Sequence, residues 1–296
     1  MKKKTHNSIN PFHQLIIKFE RALLNGINAP QDIANHFNEN GVRALDGKRW
    51  NSKLVNEYLN SKNLEDSLPP NESRENKQAE AINYKTFTTL NNHRLQHIFK
   101  STIGHYDRLA EDFWQNTKNH DVSQNYQSFL EAIKSRPPNK ILDFGCGPGR
   151  DLHFFQAMGH TVTGLDGSEK FVEMASANCN CEILHQNFLN LDLPDNNYDG
   201  VFANASLFHI PSSELPRILL ELFMTLKPQG ILFCSNPRGH NHEGYSDDRY
   251  GCFFNPDTWR KYVTDAGFNE VKSYFRPSGL PRREQPWFVT IWRKEK

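Results

Sequence analysis

Two rhythms of apolar and polar positions divide the chain. Over residues 9–60 apolar side chains recur at helical spacing, with Leu15, Ile16, Phe19, Leu23 and Leu24 on one face. Pro30-Gln-Asp-Ile-Ala-Asn-His-Phe37 opens a helix with Pro in its first turn, Gly41 breaks the pattern, and Ser52 is placed to cap a last helix running through Tyr58 and Leu59. Residues 1–60 are therefore expected to form a small helical, helix-turn-helix-like module. Residues 61–83 are polar and charged and read as a linker. Residues 84–135 return to a helical texture, rich in aromatics. From residue 140 short apolar runs alternate with helical stretches. Strands are expected at Ile141–Phe144, Thr161–Asp166, Glu182–His185, Gly200–Ala203, Ile231–Ser235, Val271–Phe275 and Phe288–Trp292. Helices are expected near 150–158, 168–178, 212–226 and 256–266. That alternation predicts an α/β domain over 84–296, with a mostly parallel sheet of seven strands and helices on both faces.

Charge adds a little. The chain of 296 residues carries a net charge of +1, so no global field draws it to nucleic acid or a membrane surface. Residues 1–65 are net +4 and residues 272–296 net +5, which leaves the middle at −8. No run approaches the 18 apolar residues of a membrane span. Met1-Lys-Lys-Lys is followed by a polar stretch rather than the apolar core of a secretion signal, and Cys146, Cys179, Cys181, Cys234 and Cys252 form neither a disulfide framework nor a paired zinc pattern. A reducing, cytoplasmic setting is the expectation.

The sharpest chemical signal is Lys140-Ile-Leu-Asp-Phe-Gly-Cys-Gly-Pro-Gly-Arg-Asp151. An apolar strand carrying Asp143 runs into Gly145, Cys146, Gly147 and Gly149, and a helix opens near Arg150. A second strand ends at Asp166-Gly167, where a carboxylate can take ribose hydroxyls. A dinucleotide loop wants G-x-G-x-x-G with a pyrophosphate on the helix N-terminus. Here Pro148 and Gly149 displace that spacing, and Asp151 brings negative charge to the helix start. That suits S-adenosylmethionine, which has no phosphate and carries a sulfonium and an ammonium group.

The D-x-G-x-G-x-G pattern resembles the first motif of class I methyltransferases. The resemblance implies a Rossmann-like fold and further cofactor positions: Asn187 and Phe188 after strand three, near adenine, and Asn204 and Ala205 after strand four, near the methionine moiety. The family often has Asp near position 187, so Asn187 departs from it.

A narrower resemblance covers residues 101–296. His105-Tyr-Asp107, Phe113-Trp114, His120-Asp-Val-Ser-Gln-Asn125, Phe202-Ala-Asn-Ala-Ser-Leu-Phe-His209, Ser235-Asn-Pro-Arg-Gly239, Arg249-Tyr-Gly251, Arg276-Pro-Ser-Gly-Leu-Pro-Arg282 and Gln285-Pro-Trp287 resemble the C-terminal methyltransferase domain of ovothiol-synthesising enzymes. That domain methylates the π nitrogen of 5-thiohistidine. The family's iron-dependent C–S-forming domain has no counterpart in this sequence. The resemblance therefore implies a small amino-acid substrate and a separate sulfoxide synthase as pathway partner, with another small thiol or imidazole as the alternative. It implies Tyr106, Asn204, His209 and Asn236 as groups holding the imidazole or thiol, and Trp114 and Gln124 as cofactor contacts. Arg238 stands first among the candidate carboxylate partners, because it follows strand five at the carboxyl edge of the sheet. Arg249, Tyr250, Arg276 and Arg282 compete with it.

Residues 30–59 separately resemble a DNA-binding segment of serine recombinases, which keeps open a regulator that only senses the cofactor. Against nucleic acid as a substrate, the place of the Asp/Asn-Pro-Pro-aromatic loop of amino-methylating enzymes reads Asn204-Ala-Ser-Leu207, and no Pro-Cys nucleophile occurs. His93 and His97 stand at i, i+4 with no third ligand in view, so no metal is expected.

Overall fold

The computed structural model describes residues 29–39, 42–44, 48–62, 93–133 and 135–295. By its contacts the chain divides into two units, with the break between Leu95 and Gln96.

In the smaller unit, the helices Pro30–Glu39 and Ser52–Lys62 enclose a miniature core of Ile33, Ala34, Phe37, Trp50 and Val55. The Phe37 and Trp50 rings meet edge to face at 5.5 Å. Asn38 clasps the backbone of Trp50 through Nδ2 to its carbonyl (2.8 Å) and Oδ1 from its N–H (3.0 Å). The second helix is capped by Asn51 rather than Ser52. The Asn51 side chain accepts from Leu54 N at 2.9 Å, while its carbonyl takes the first helical bond, from Val55. The helix also runs on through Lys62, into the expected linker. The rest of that linker, and the helix expected over Leu15–Leu24, lie outside the described residues.

In the larger unit, helices over 96–108, Ala110–Thr117 and Ser123–Ile133 precede the sheet. Its strands are β1 (Lys140–Phe144), β2 (Thr161–Asp166), β3 (Glu182–His185), β4 (Tyr198–Asn204), β5 (Leu226–Pro237), β8 (Asn269–Arg276) and β9 (Trp287–Arg293), in the order β3-β2-β1-β4-β5-β9-β8. The first five run parallel, and β9 is antiparallel to both its neighbours. All seven expected strands are present. An eighth and ninth, the hairpin β6 (His242–Ser246) and β7 (Arg249–Phe253), form a separate ribbon that the sequence reading missed.

Successive side chains of a strand point to opposite faces, and here both are buried. Ile141, Phe202, Ile231, Phe233, Val289 and Ile291 pack against Phe129 and Phe155 of the helices Ser123–Ile133 and Arg150–Ala157. Their strand neighbours Leu142, Val201 and Leu232 are equally inaccessible on the other side. Helices thus cover both faces, as the continuous apolar runs predict. Phe202 sits at the centre of the first layer, stacked on Phe233 at 4.5 Å and flanked by Phe129 and Phe155. No helix among the described residues is long and apolar enough to cross a membrane.

Phe202 is two residues from the end of β4, so its packing carries directly into the cleft. Phe202→Ala should cost about 3–5 kcal/mol, read as a lower denaturant midpoint at unchanged slope.

Candidate active site

The turn after β1 is set by its glycines. Gly145 (φ +79°) and Gly147 (φ +53°) occupy the left-handed region. A Cβ on Gly145 would lie 2.4 Å from Ser206 Cβ, whereas one on Gly147 would meet only Phe113, at 3.9 Å, and would otherwise stand in open space. The first glycine lets the turns after β1 and β4 touch; the second leaves backbone free to be approached. Gly145 N and Cys146 N both donate to Leu165 O (2.8 and 3.0 Å), which straps the loop to β2. At the end of β2, Asp166 accepts from Gly147 N through Oδ2 and from Ser168 N through Oδ1, both at 2.9 Å. Burial lifts its carboxyl to about 6, against the pull of those amides.

These groups line one wall of a cavity of about 530 Å³ at the carboxyl ends of β1, β2, β4 and β5. The cavity gathers Gly145, Cys146, Gly147, Asp166, Gly167, Asn187, Phe188, Asn204, Ala205 and Trp114 of the expected cofactor set, and Tyr106, His209, Arg249 and Arg276 of the expected substrate set. Ala205 holds φ +65°, a strained value for a residue with a Cβ, where the chain turns out of β4. Phe188 stacks on Phe144 at 4.3 Å. Asn187 Oδ1 is spent on its own turn, accepting from Leu189 N and Asn190 N.

Seven expected residues lie outside the cavity lining. Asp143 lies beneath the loop, fully buried, its carboxyl pushed well above the ordinary range by burial and then by Asp151. Gly149 begins the helix Arg150–Ala157 and packs on Cys179 and Ala175. Gln124 offers the fold its carbonyl, to the Tyr274 hydroxyl. Asn236 and Arg238 border a separate small crevice. The Arg238 guanidinium donates to the carbonyls of Gln285 (2.7 Å) and Arg282. Arg282 stacks over the Phe275 ring. Tyr250 contributes backbone: its carbonyl accepts from His209 Nδ1 at 2.6 Å.

That bond fixes the His209 tautomer. With Nδ1 donating, Nε2 accepts from the Tyr106 hydroxyl at 2.8 Å. Burial pushes the His209 imidazole down to about 4, with the Arg249 charge acting the same way. Burial raises the Tyr106 hydroxyl, and neighbouring Arg249 opposes that rise.

Sequence reading also missed the buried network under the cleft floor. Asp151 accepts from Tyr126 (2.5 Å), Arg150 Nε (2.6 Å) and Asn204 Nδ2 (3.0 Å). Asn204 Oδ1 in turn accepts from Asn125 (3.1 Å), whose own Oδ1 accepts from Tyr274 (3.0 Å). The Asn204 amide is thus engaged at both ends. A carboxylate one residue into a helix was the available signal, and it was read only as a charge disfavouring pyrophosphate.

Residues 141–230 match the model of a methyltransferase domain family. A crystal structure of Burkholderia thailandensis 1,6-didemethyltoxoflavin-N1-methyltransferase with bound 1,6-didemethyltoxoflavin and S-adenosylhomocysteine shares the fold. Its TM-score is 0.51 at 18% identity, covering 77% of this chain and 94% of that one. The larger unit has the class I methyltransferase fold. The chain is 28% identical over 208 residues to a sterol 24-C-methyltransferase of Gibberella zeae, across 64% of this chain and 52% of that protein. It is 25% identical over 186 residues to phosphoethanolamine N-methyltransferase 1 of Zea mays, across 58% and 36%. The chain thus spans only about a third to a half of the length of these curated relatives.

The donor set fits the cofactor of this class, S-adenosylmethionine. Glycine backbone stands open at Gly147, an acceptor carboxylate ends β2, and aromatic Phe188 flanks it. The described residues contain no group of three His, Cys, Asp or Glu side chains that could hold a metal ion. Asp166 must be ionised to accept from two ribose hydroxyls. Protonation near its value of about 6 removes acceptor capacity, so affinity should fall as pH drops. Titration calorimetry with S-adenosylhomocysteine should show the dissociation constant rising about tenfold per pH unit below 6. Asp166→Asn should bind weakly and lose that slope.

Proposed function

We propose that the protein methylates the imidazole π nitrogen of 5-thiohistidine, using S-adenosylmethionine. The observation that carries this reading is that the segments resembling the thiohistidine-methylating domain meet in one cavity. Tyr106, Trp114, Asn204, Ser206, His209, Arg249, Arg276 and Trp287 all line it, together with the glycine loop. Its volume, about 530 Å³, suits a small molecule beside the cofactor and not a polymer. The thiohistidine itself would come from a separate sulfoxide synthase.

Bound at the glycine loop and Asp166, the cofactor supplies a methyl group already activated on a sulfonium. The chain's task is orientation, which can be worth about 7–11 kcal/mol. The acceptor nitrogen must present its lone pair, and the electron-rich ring of 5-thiohistidine lessens the need for a strong base. His209 is unsuited to be that base. With its imidazole at about 4, holding a proton there at pH 7 costs about 4 kcal/mol. It serves instead as a fixed acceptor that aims the Tyr106 hydroxyl, whose oxygen takes a hydrogen bond from Arg249 and keeps one lone pair for the substrate.

This division of labour has a measurable size. Loss of a general base costs 10²–10⁴-fold, whereas loss of one orienting hydrogen bond costs about tenfold. Tyr106→Phe should therefore slow turnover about tenfold, and the wild-type kcat should show no ascending limb between pH 5.5 and 8 (both values bracket the usual histidine range). With synthetic 5-thiohistidine, mass spectrometry should find one added methyl and NMR should place it on the ring nitrogen beside the side-chain carbon. Product methylated on sulfur, or none with cofactor binding intact, would refute the assignment.

A further inference from the structure

Arg249 starts β7, and both of its neighbours are tied down. Asp248 is held by Arg108 (2.5 Å) and, at its carbonyl, by Ser101 Oγ (2.8 Å). Tyr250 donates its N–H to Thr102 Oγ1 (3.0 Å) and gives its carbonyl to His209 (2.6 Å). The backbone at Arg249 is therefore fixed on two sides, and its side chain lines the cavity beside Tyr106. The other guanidinium groups nearby each have a protein acceptor, Arg276 through a single backbone carbonyl. Arg150 is paired with Asp151 (2.6 Å), Arg276 donates to Asp121 O (2.5 Å), and Arg238 is bound by carbonyls. Arg249 forms no ion pair with a carboxylate among the described residues, and the cavity acids that could reach it are already committed: Asp151 to Arg150, Asp166 to two backbone amides, Asp121 to Ser123 N.

A half-buried guanidinium in a cavity wall, hydrogen-bonded to Tyr106 and with no carboxylate partner among the described residues, is placed to receive a ligand anion. We infer that Arg249 is the anchor for the carboxylate of the methyl acceptor, and that the β6–β7 hairpin is the element that selects carboxylate-bearing substrates. The inference rests on the reading of this cavity as the methyl-transfer site and deepens it. A carboxylate matches two N–H groups of the planar fork. Seated there, the rest of a small amino acid extends toward Tyr106.

The test separates the anchor from the choice of 5-thiohistidine. The full chain, saturated with S-adenosylhomocysteine, is titrated with imidazole-4-propionate and with its primary amide. The carboxylate should bind at least about 30-fold more tightly than the amide, and Arg249→Gln should erase that preference while leaving S-adenosylhomocysteine affinity unchanged, with Arg249→Lys intermediate. In turnover, Arg249→Gln should raise by a similar factor the concentration of thiohistidine substrate that gives half-maximal rate, but not that of its decarboxylated amine. Equal binding of acid and amide to the wild type, or an Arg249→Gln variant that keeps the preference, overturns the anchor. Inorganic phosphate competing as well as the carboxylate overturns the substrate class. A kept carboxylate preference with no methylation of 5-thiohistidine overturns the substrate named above and leaves the anchor standing.

Discussion

The cleft depends on how one helix, residues 96–108, is docked across the carboxyl edge of the sheet. Three consecutive side chains near its end reach three different elements. Tyr106 meets His209 after β4, Asp107 accepts from Ser168 Oγ (2.6 Å) and Lys170 N (3.2 Å) at the helix following β2, and Arg108 pairs with Asp248 of the hairpin. Successive helical residues point about 100° apart, so a single helix can brace three walls only if it lies among them. Asp107 also places negative charge at the N-terminus of Glu169–Asn178, where the helix dipole favours it. The acidic end of β2, the Tyr106–His209 pair and the Arg249-bearing hairpin are therefore set relative to one another by one rigid piece.

Beneath that brace the floor is polar and buried, which is costly unless every charge is matched. The Asp151 carboxylate has three donors, from Tyr126, Arg150 and Asn204, and so it holds the first turn of Arg150–Ala157 to the end of β4. The turn after β1 and the turn after β4 are thereby joined twice, by close backbone packing at Gly145 against Ser206 and by this network. A mutation that frees Asp151 from its donors would leave a buried charge beside the already crowded Asp143, and the damage would reach both halves of the cleft.

Much of this was legible in the sequence. The strands could be read because they are buried on both faces and so nearly continuous in apolar residues, and the glycine turn because few other residues can follow that backbone. Arg238 lies away from this cavity for a topological reason. Position after β5 places a residue at the site only if the strand ends at the sheet edge, but here antiparallel pairing with β9 extends β5 to Pro237 opposite Trp287. Arg238 is carried past the cleft and captured by the carbonyls of the segment before β9. The hairpin went unseen because its turn, Asp247-Asp248, contains no glycine. Asp247 itself supplies the positive φ, +55°, as Asp tolerates better than most. Arg249, read as one of several competitors, gained its significance only from that unseen ribbon.

A site that hosts a strong methyl electrophile must also deny it the protein's own nucleophiles. Cys146 stands in the glycine loop itself and lines the cavity, yet burial first, and then the charges of Asp166 and Asp143, push its thiol well above the ordinary range. It stays a thiol at neutral pH, and the thiolate is the form that attacks. Among the carboxylates lining the cavity, Asp151 is held by hydroxyl, amide and guanidinium donors, and Asp166 by two backbone amides with its remaining lone pairs directed to the cofactor's ribose. His209 offers Nε2 only to Tyr106. With its thiol protonated and its imidazole acceptor engaged, the cleft leaves the bound methyl acceptor as the exposed nucleophile. Its selectivity then follows from what the fold has already neutralised as much as from what it binds.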